Sequence, residues 1–135
     1  MKNKSHKILE INENTDIHHI FPKAYCEDKN IPKQKWNSII NKTPLFKRTN
    51  QILGGSAPSE YLERIENEKH VAREQLDAFV KSHLVNVDLL RKDDFDAYFI
   101  ERTKALLKEI SKAMGKPISN LSGEDVIKEF GCTLE

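Results

Sequence analysis

The chain has 135 residues, 38% hydrophobic and 32% charged, and at roughly 100–200 residues per domain it is one domain or a piece of a larger chain. No run of about 18 apolar residues offers a membrane span, and the start MKNKSHKILEINEN lacks the apolar core of a secretory signal. Two cysteines far apart, Cys26 and Cys132, cannot alone make a four-thiolate zinc site, and a reduced, cytoplasmic setting is expected.

In chain order, residues 7–21 read as extended, with Ile8, Leu9, Ile11, Ile17, Ile20 and Phe21 set among turn-formers. Pro22 cannot continue a sheet ladder and closes that strand. Residues 23–40 read as one or two short helical turns broken at Asn30 and Pro32, anchored by Trp36, Ile39 and Ile40. TPLF at 43–46 is a second short strand. A helix is expected from about Lys47 to Leu53, stopped at Gly54-Gly55.

The second half has helical period. Pro58 sits near a helix start, with Tyr61, Leu62 and Ile65 on its apolar side. A longer helix puts Ala72, Leu76, Phe79, Val80, His83 and Leu84 on one face. Another runs from about Asp93, with Phe95, Tyr98, Phe99, Leu106 and Ile110 inward, and ends at Gly115 and Pro117. Ser122-Gly-Glu-Asp125 reads as the capping box of a last short helix, and the closing Leu134-Glu135 as a cloning remnant.

Charge divides the chain. Residues 1–56 carry ten Lys/Arg against five Asp/Glu, and residues 57–135 carry twelve against sixteen. The surplus points a polyanion at the N-terminal half.

That half also holds the unusual chemistry, in DIHHIFPK at 16–23. Neighbouring side chains on a strand point to opposite faces, so His18 and His19 do different jobs. "NKTPLFKRTN" begins with Asn41 and ends with Asn50. A phosphodiester cleavage site needs a hard cation on the phosphate and a base to take a proton from water. His18 and Asn50 are candidate ligands, His19 is the candidate base, and Asn41 would brace the loop between the strands. His83, on an apolar helix face, reads as a hydrogen-bonded core histidine, and His6 and His70 as surface residues.

The pattern His18-His19-Ile20-Phe21-Pro22, then Asn41, then Asn50, resembles the HNH (ββα-metal) endonuclease family. The spacing of the asparagines is similar to that in the HNH domain of RNA-guided CRISPR nucleases. "SIINKTPLFKRTNQILGGSAPSEYL" resembles more closely the C-terminal nuclease domain of GmrSD-type, modification-dependent restriction proteins, over about residues 16–62. The resemblance implies an α+β, mostly helical fold, with a ββα-metal core at 1–56 and a helical scaffold packed on it at 57–135. It makes His19 the general base, gives Asn41 the middle position of the catalytic set, and makes His18 and Asn50 the metal ligands.

Asp16, two residues before His18, is a further ligand candidate. Magnesium or manganese is the expected metal, with zinc or nickel admitted because an imidazole replaces the usual carboxylate at His18. DNA, modified or not, is the implied partner, contacted by Lys23, Lys42, Lys47 and Arg48; no membrane is involved, and an NTPase-like domain is expected in the parent protein. Oligomeric state is left open. The rival readings are a non-catalytic nucleic-acid-binding module and a structural metal-binding domain.

Overall fold

A computed structural model of the chain describes residues 15–46, 51 and 53–135. The fold is α+β and mostly helical. It divides after Arg73 into two compact units.

Unit 1 holds the two strands. β1 (Thr15–His19) pairs antiparallel with β2 (Lys42–Phe46), from Thr15 opposite Phe46 to His19 opposite Lys42. Period-two alternation sorts their side chains. His18, Thr43 and Leu45 are buried on the face that Asp16 shares, while Ile17, Pro44 and Phe46 are exposed on the face of His19. Pro44 is tolerated because a two-stranded sheet has only edge strands.

Two short helices join the strands, α1 (Lys23–Asp28) and α2 (Lys33–Trp36), each with a proline at its N-cap, Pro22 and Pro32. Asn30 takes the left-handed conformation between them, at φ 58°, which asparagine tolerates better than most residues. Trp36 is buried, but Ile39, expected as an anchor, is 79% exposed. It lies in the 3-10 turn Ile39–Asn41, which turns Asn41 inward and leaves Ile39 to solvent.

Most of the helix expected at 47–53 lies outside the described residues. Gln51 and Leu53 are helical, and Gly54 at φ 59° ends the run, as the glycine pair suggests. Helix α3 (Pro58–Glu68) has Pro58 in its first turn and buries Tyr61 and Leu62. It belongs with the strands in unit 1: the Tyr61 hydroxyl donates to Ile20 O at 2.7 Å, and Arg64 donates to Leu53 O and Ser56 Oγ.

Unit 2 is built from α4 (Arg73–Ser82), α5 (Val87–Arg91), α6 (Phe95–Met114) and α7 (Glu124–Phe130). Leu76, Val80, Val85, Leu90, Phe95, Tyr98 and Phe99 form its core. The apolar face expected from Ala72 to Leu84 is shorter than its pattern. α4 stops at Ser82, Leu84 is left-handed at φ 62°, and Ala72 and Phe79 are exposed. The short α5, capped by the Asn86 side chain, is not visible in the periodicity.

α6 starts as expected, with the Asp94 side chain accepting from Ala97 N, and ends at Gly115, φ 71°. Its inward face fades along its length: Phe95, Tyr98 and Phe99 are buried, while Ile110 is 48% exposed. One further expectation is corrected. Gly123, not Ser122, is the N-cap of α7, with no side-chain cap bond. Leu134 is buried with its N–H on Leu121 O at 2.8 Å, so it packs as part of the unit. Among the described residues, no helix is long and apolar enough to cross a membrane.

Candidate active site

The histidine pair ends β1, and the segment after it is tied down by hydrogen bonds. Phe21 N–H donates to Asn41 Oδ1 at 2.9 Å, and Asn41 Nδ2 donates to Phe21 O and to Trp36 O, both at 2.9 Å. Ile20 N–H donates to the Asn41 carbonyl at 2.9 Å, while Ile20 O accepts from Tyr61. Asn41 is fully buried, so these bonds replace water that its amide cannot reach. One asparagine therefore holds the exit of β1 and the end of α2 together.

On this platform the two histidines divide as alternation requires. His18 is 6% exposed, with its ring edge-on to Tyr61 at 6.1 Å between centroids. His19 lies on the other face, opposite Lys42, with its ring edge-on to Trp36 at 5.6 Å. Its Nε2 is 3.1 Å from Asn37 Oδ1. The strand end lets both histidines reach one open cleft of about 260 Å³, shared with Lys23, Gly54 and Gly55.

The other candidates fall around this point unevenly. Asp16 is half-buried on the His18 face, opposite Leu45. Lys23 is exposed at the start of α1 on the cleft, and Lys42 is half-buried across from His19. Asn50, Lys47 and Arg48 lie outside the described residues. Among the described residues, no three His, Cys, Asp or Glu side chains gather as a metal cluster. Cys26 takes no part as a thiolate: burial pushes its pKa up to about 12, and its thiol donates to Phe21 O at 3.4 Å.

Two contacts escape the sequence reading. Tyr61 comes from α3, far along the chain, and no spacing announces it. Asn37 follows Trp36 at the end of a four-residue helix, where an asparagine reads as an ordinary turn residue.

Of the remaining histidines, His6 lies outside the described residues, and the other two differ. His70 is exposed at φ 53°. His83 is half-buried against Phe79 at 4.8 Å, and its backbone carbonyl accepts from Arg102 Nε and Nη2.

No family model matches the sequence, and no solved structure matches it. An uncharacterized protein of Methanocaldococcus jannaschii is 32% identical to it, over 69% of this chain and 20% of that protein. The chain thus spans about a fifth of that relative's length.

Proposed function

We propose that this chain is a metal-dependent DNA endonuclease domain of the HNH (ββα-metal) type, the nuclease part of a restriction or defence protein. The observation that carries the reading is Asn41. A fully buried side-chain amide with three bonds to Phe21 and Trp36 is a costly way to fix a loop, and the loop it fixes directly follows the two histidines. Such rigidity suits a site that must hold a base in register with a phosphate.

His18 and an open cleft suit a hydrated divalent ion, which keeps several waters and asks few protein ligands. His18 and Asn50 would hold it, with Asp16 beside His18 on the strand. Bound there, the ion would draw charge from the phosphate and the leaving oxygen. His19 takes the proton from water as its oxygen bonds to phosphorus and the bond to the leaving sugar oxygen breaks. Lys23 and Lys42 steer the backbone toward the cleft.

The test is supercoiled plasmid incubated with the chain across magnesium, manganese, zinc and nickel. Cutting with at least one metal is expected, reduced roughly 100- to 10,000-fold in His19→Ala with the fold retained. A folded chain that cuts with none of them, or cuts equally well without His19, overturns the reading.

A further inference from the structure

The end of α2 meets His19 twice, through consecutive residues. Trp36 supplies a wall that is itself 5% exposed, against which the imidazole packs edge-on. Asn37 supplies a side-chain oxygen 3.1 Å from Nε2. Neither rests on a loose support. Asn37 N–H donates to Lys33 O at 2.9 Å, closing the helix, and Trp36 O accepts from the buried Asn41 amide. The amide that pins the exit of β1 thus also pins the backbone from which Asn37 reaches the ring.

A neutral imidazole has one donor nitrogen and one acceptor nitrogen, and the fixed partner of one decides the role of the other. An amide oxygen can only accept. Paired with Asn37 Oδ1, Nε2 must carry the hydrogen, and the lone pair is left on Nδ1.

We infer that Asn37 is a positioning residue for His19: it selects the Nε2–H tautomer, holds the ring against Trp36, and so makes Nδ1 the nitrogen that accepts the proton. The inference rests on the nuclease reading for its purpose, but the tautomer is measurable without any cleavage.

The experiment is long-range proton–nitrogen correlation NMR on histidine-labelled chain at alkaline pH, where histidine rings are neutral, in native, Asn37→Leu and Asn37→Asp forms. Asn37 is exposed, so neither change threatens the fold. The native chain should show His19 with its proton on Nε2. Asn37→Leu should give a mixture of tautomers, and Asn37→Asp, which keeps an accepting oxygen, should restore the single form. In plasmid cleavage, Asn37→Leu should lose roughly 10- to 100-fold, as when an outer partner of a site histidine is removed, mainly in kcat, with most of it regained in Asn37→Asp.

A native ring protonated on Nδ1, or a tautomer indifferent to Asn37→Leu, overturns the inference whatever the cleavage shows. So does undiminished cutting by Asn37→Leu. A native chain with the Nε2–H form that cuts no DNA with any metal overturns the nuclease reading, and the positioning role with it, while the contact itself stands.

Discussion

Each unit buries a strongly polar side chain against backbone carbonyls, and the two do it for different ends. In unit 1, neutral Asn41 is fully buried and bonds the residues just beyond the histidines. In unit 2, Arg102 is 5% exposed and donates twice to the carbonyl of His83, just past the end of α4. The first fixes a platform that presents two histidines to an open cleft. The second satisfies helix-terminal backbone and ties α4 to α6, which is scaffolding. The single histidine of unit 2 sits where burial, and then Arg102, hold its pKa below the ordinary value. The same device, a buried side chain on a backbone carbonyl, braces the strand end beside the proposed site in one place and ties two helices in the other.

Stability measurements would break or sharpen that contrast, and the largest effect belongs to Asn41. Asn41→Ala strands Phe21 N–H, Phe21 O and Trp36 O, and an unsatisfied buried group costs roughly 1–3 kcal/mol. The expected loss in unit 1 is on the order of 3–5 kcal/mol. It would be read by urea unfolding followed through Trp36, the chain's one tryptophan. Arg102→Met removes the two donors on the His83 carbonyl while filling much of the same space, so the loss in unit 2 should be smaller, about 1–2 kcal/mol by helical circular dichroism. If Arg102→Met proves the costlier change, unit 2 depends on its polar tie more than unit 1 does, and the contrast is inverted.

Those two residues also mark what the sequence makes legible. Asn41 is legible as a brace between two strands, TPLF as the second strand and Pro22 as the stop of the first, which ends at His19 while its expected part at 7–14 lies outside the described residues. Trp36 as an anchor follows from its size. What is hidden depends on contacts between distant residues. Tyr61 reaches Ile20 from 41 positions away, and Asn37 meets His19 only because two prolines and a left-handed Asn30 fold α1 and α2 back. In unit 2 the 3.6-residue pattern overran at Leu84, because a left-handed residue ends a helix without needing a glycine. The Ser122 cap failed for the opposite reason: Gly123 supplies the extended N-cap backbone with no side-chain bond.

Charge offers a subtler contrast. Unit 1 carries thirteen Lys/Arg against nine Asp/Glu and unit 2 nine against twelve, so DNA should cross unit 1. Each phosphate contact contributes about 0.9 to the log–log salt slope on duplex DNA. Removing Lys23 and Lys42 together should weaken binding to all sequences alike and flatten the slope by roughly two at most. Removing Lys104 and Lys108 should leave it unchanged within error. A flatter slope from the second pair would move the DNA to unit 2.

The smallest effect expected is in the pH dependence of unit 2. Burial, and next the Arg102 guanidinium, hold the His83 ring below its ordinary pKa of 6.5, so the folded unit resists a proton that the unfolded chain accepts. Where the unfolded state binds more protons, stability rises with pH. The contribution of His83 is therefore fully present above about pH 7.5. It fades as pH falls through 6.5 toward the lowered folded value. The ring is half-exposed, and solvent keeps the change small. Urea unfolding of the helical signal between about pH 7.5 and 5.5 should show His83→Gln less sensitive to acid than the native chain. Native stability that falls less with acid than that of His83→Gln would mean the ring gains a proton more readily folded than unfolded, and burial would no longer explain its environment.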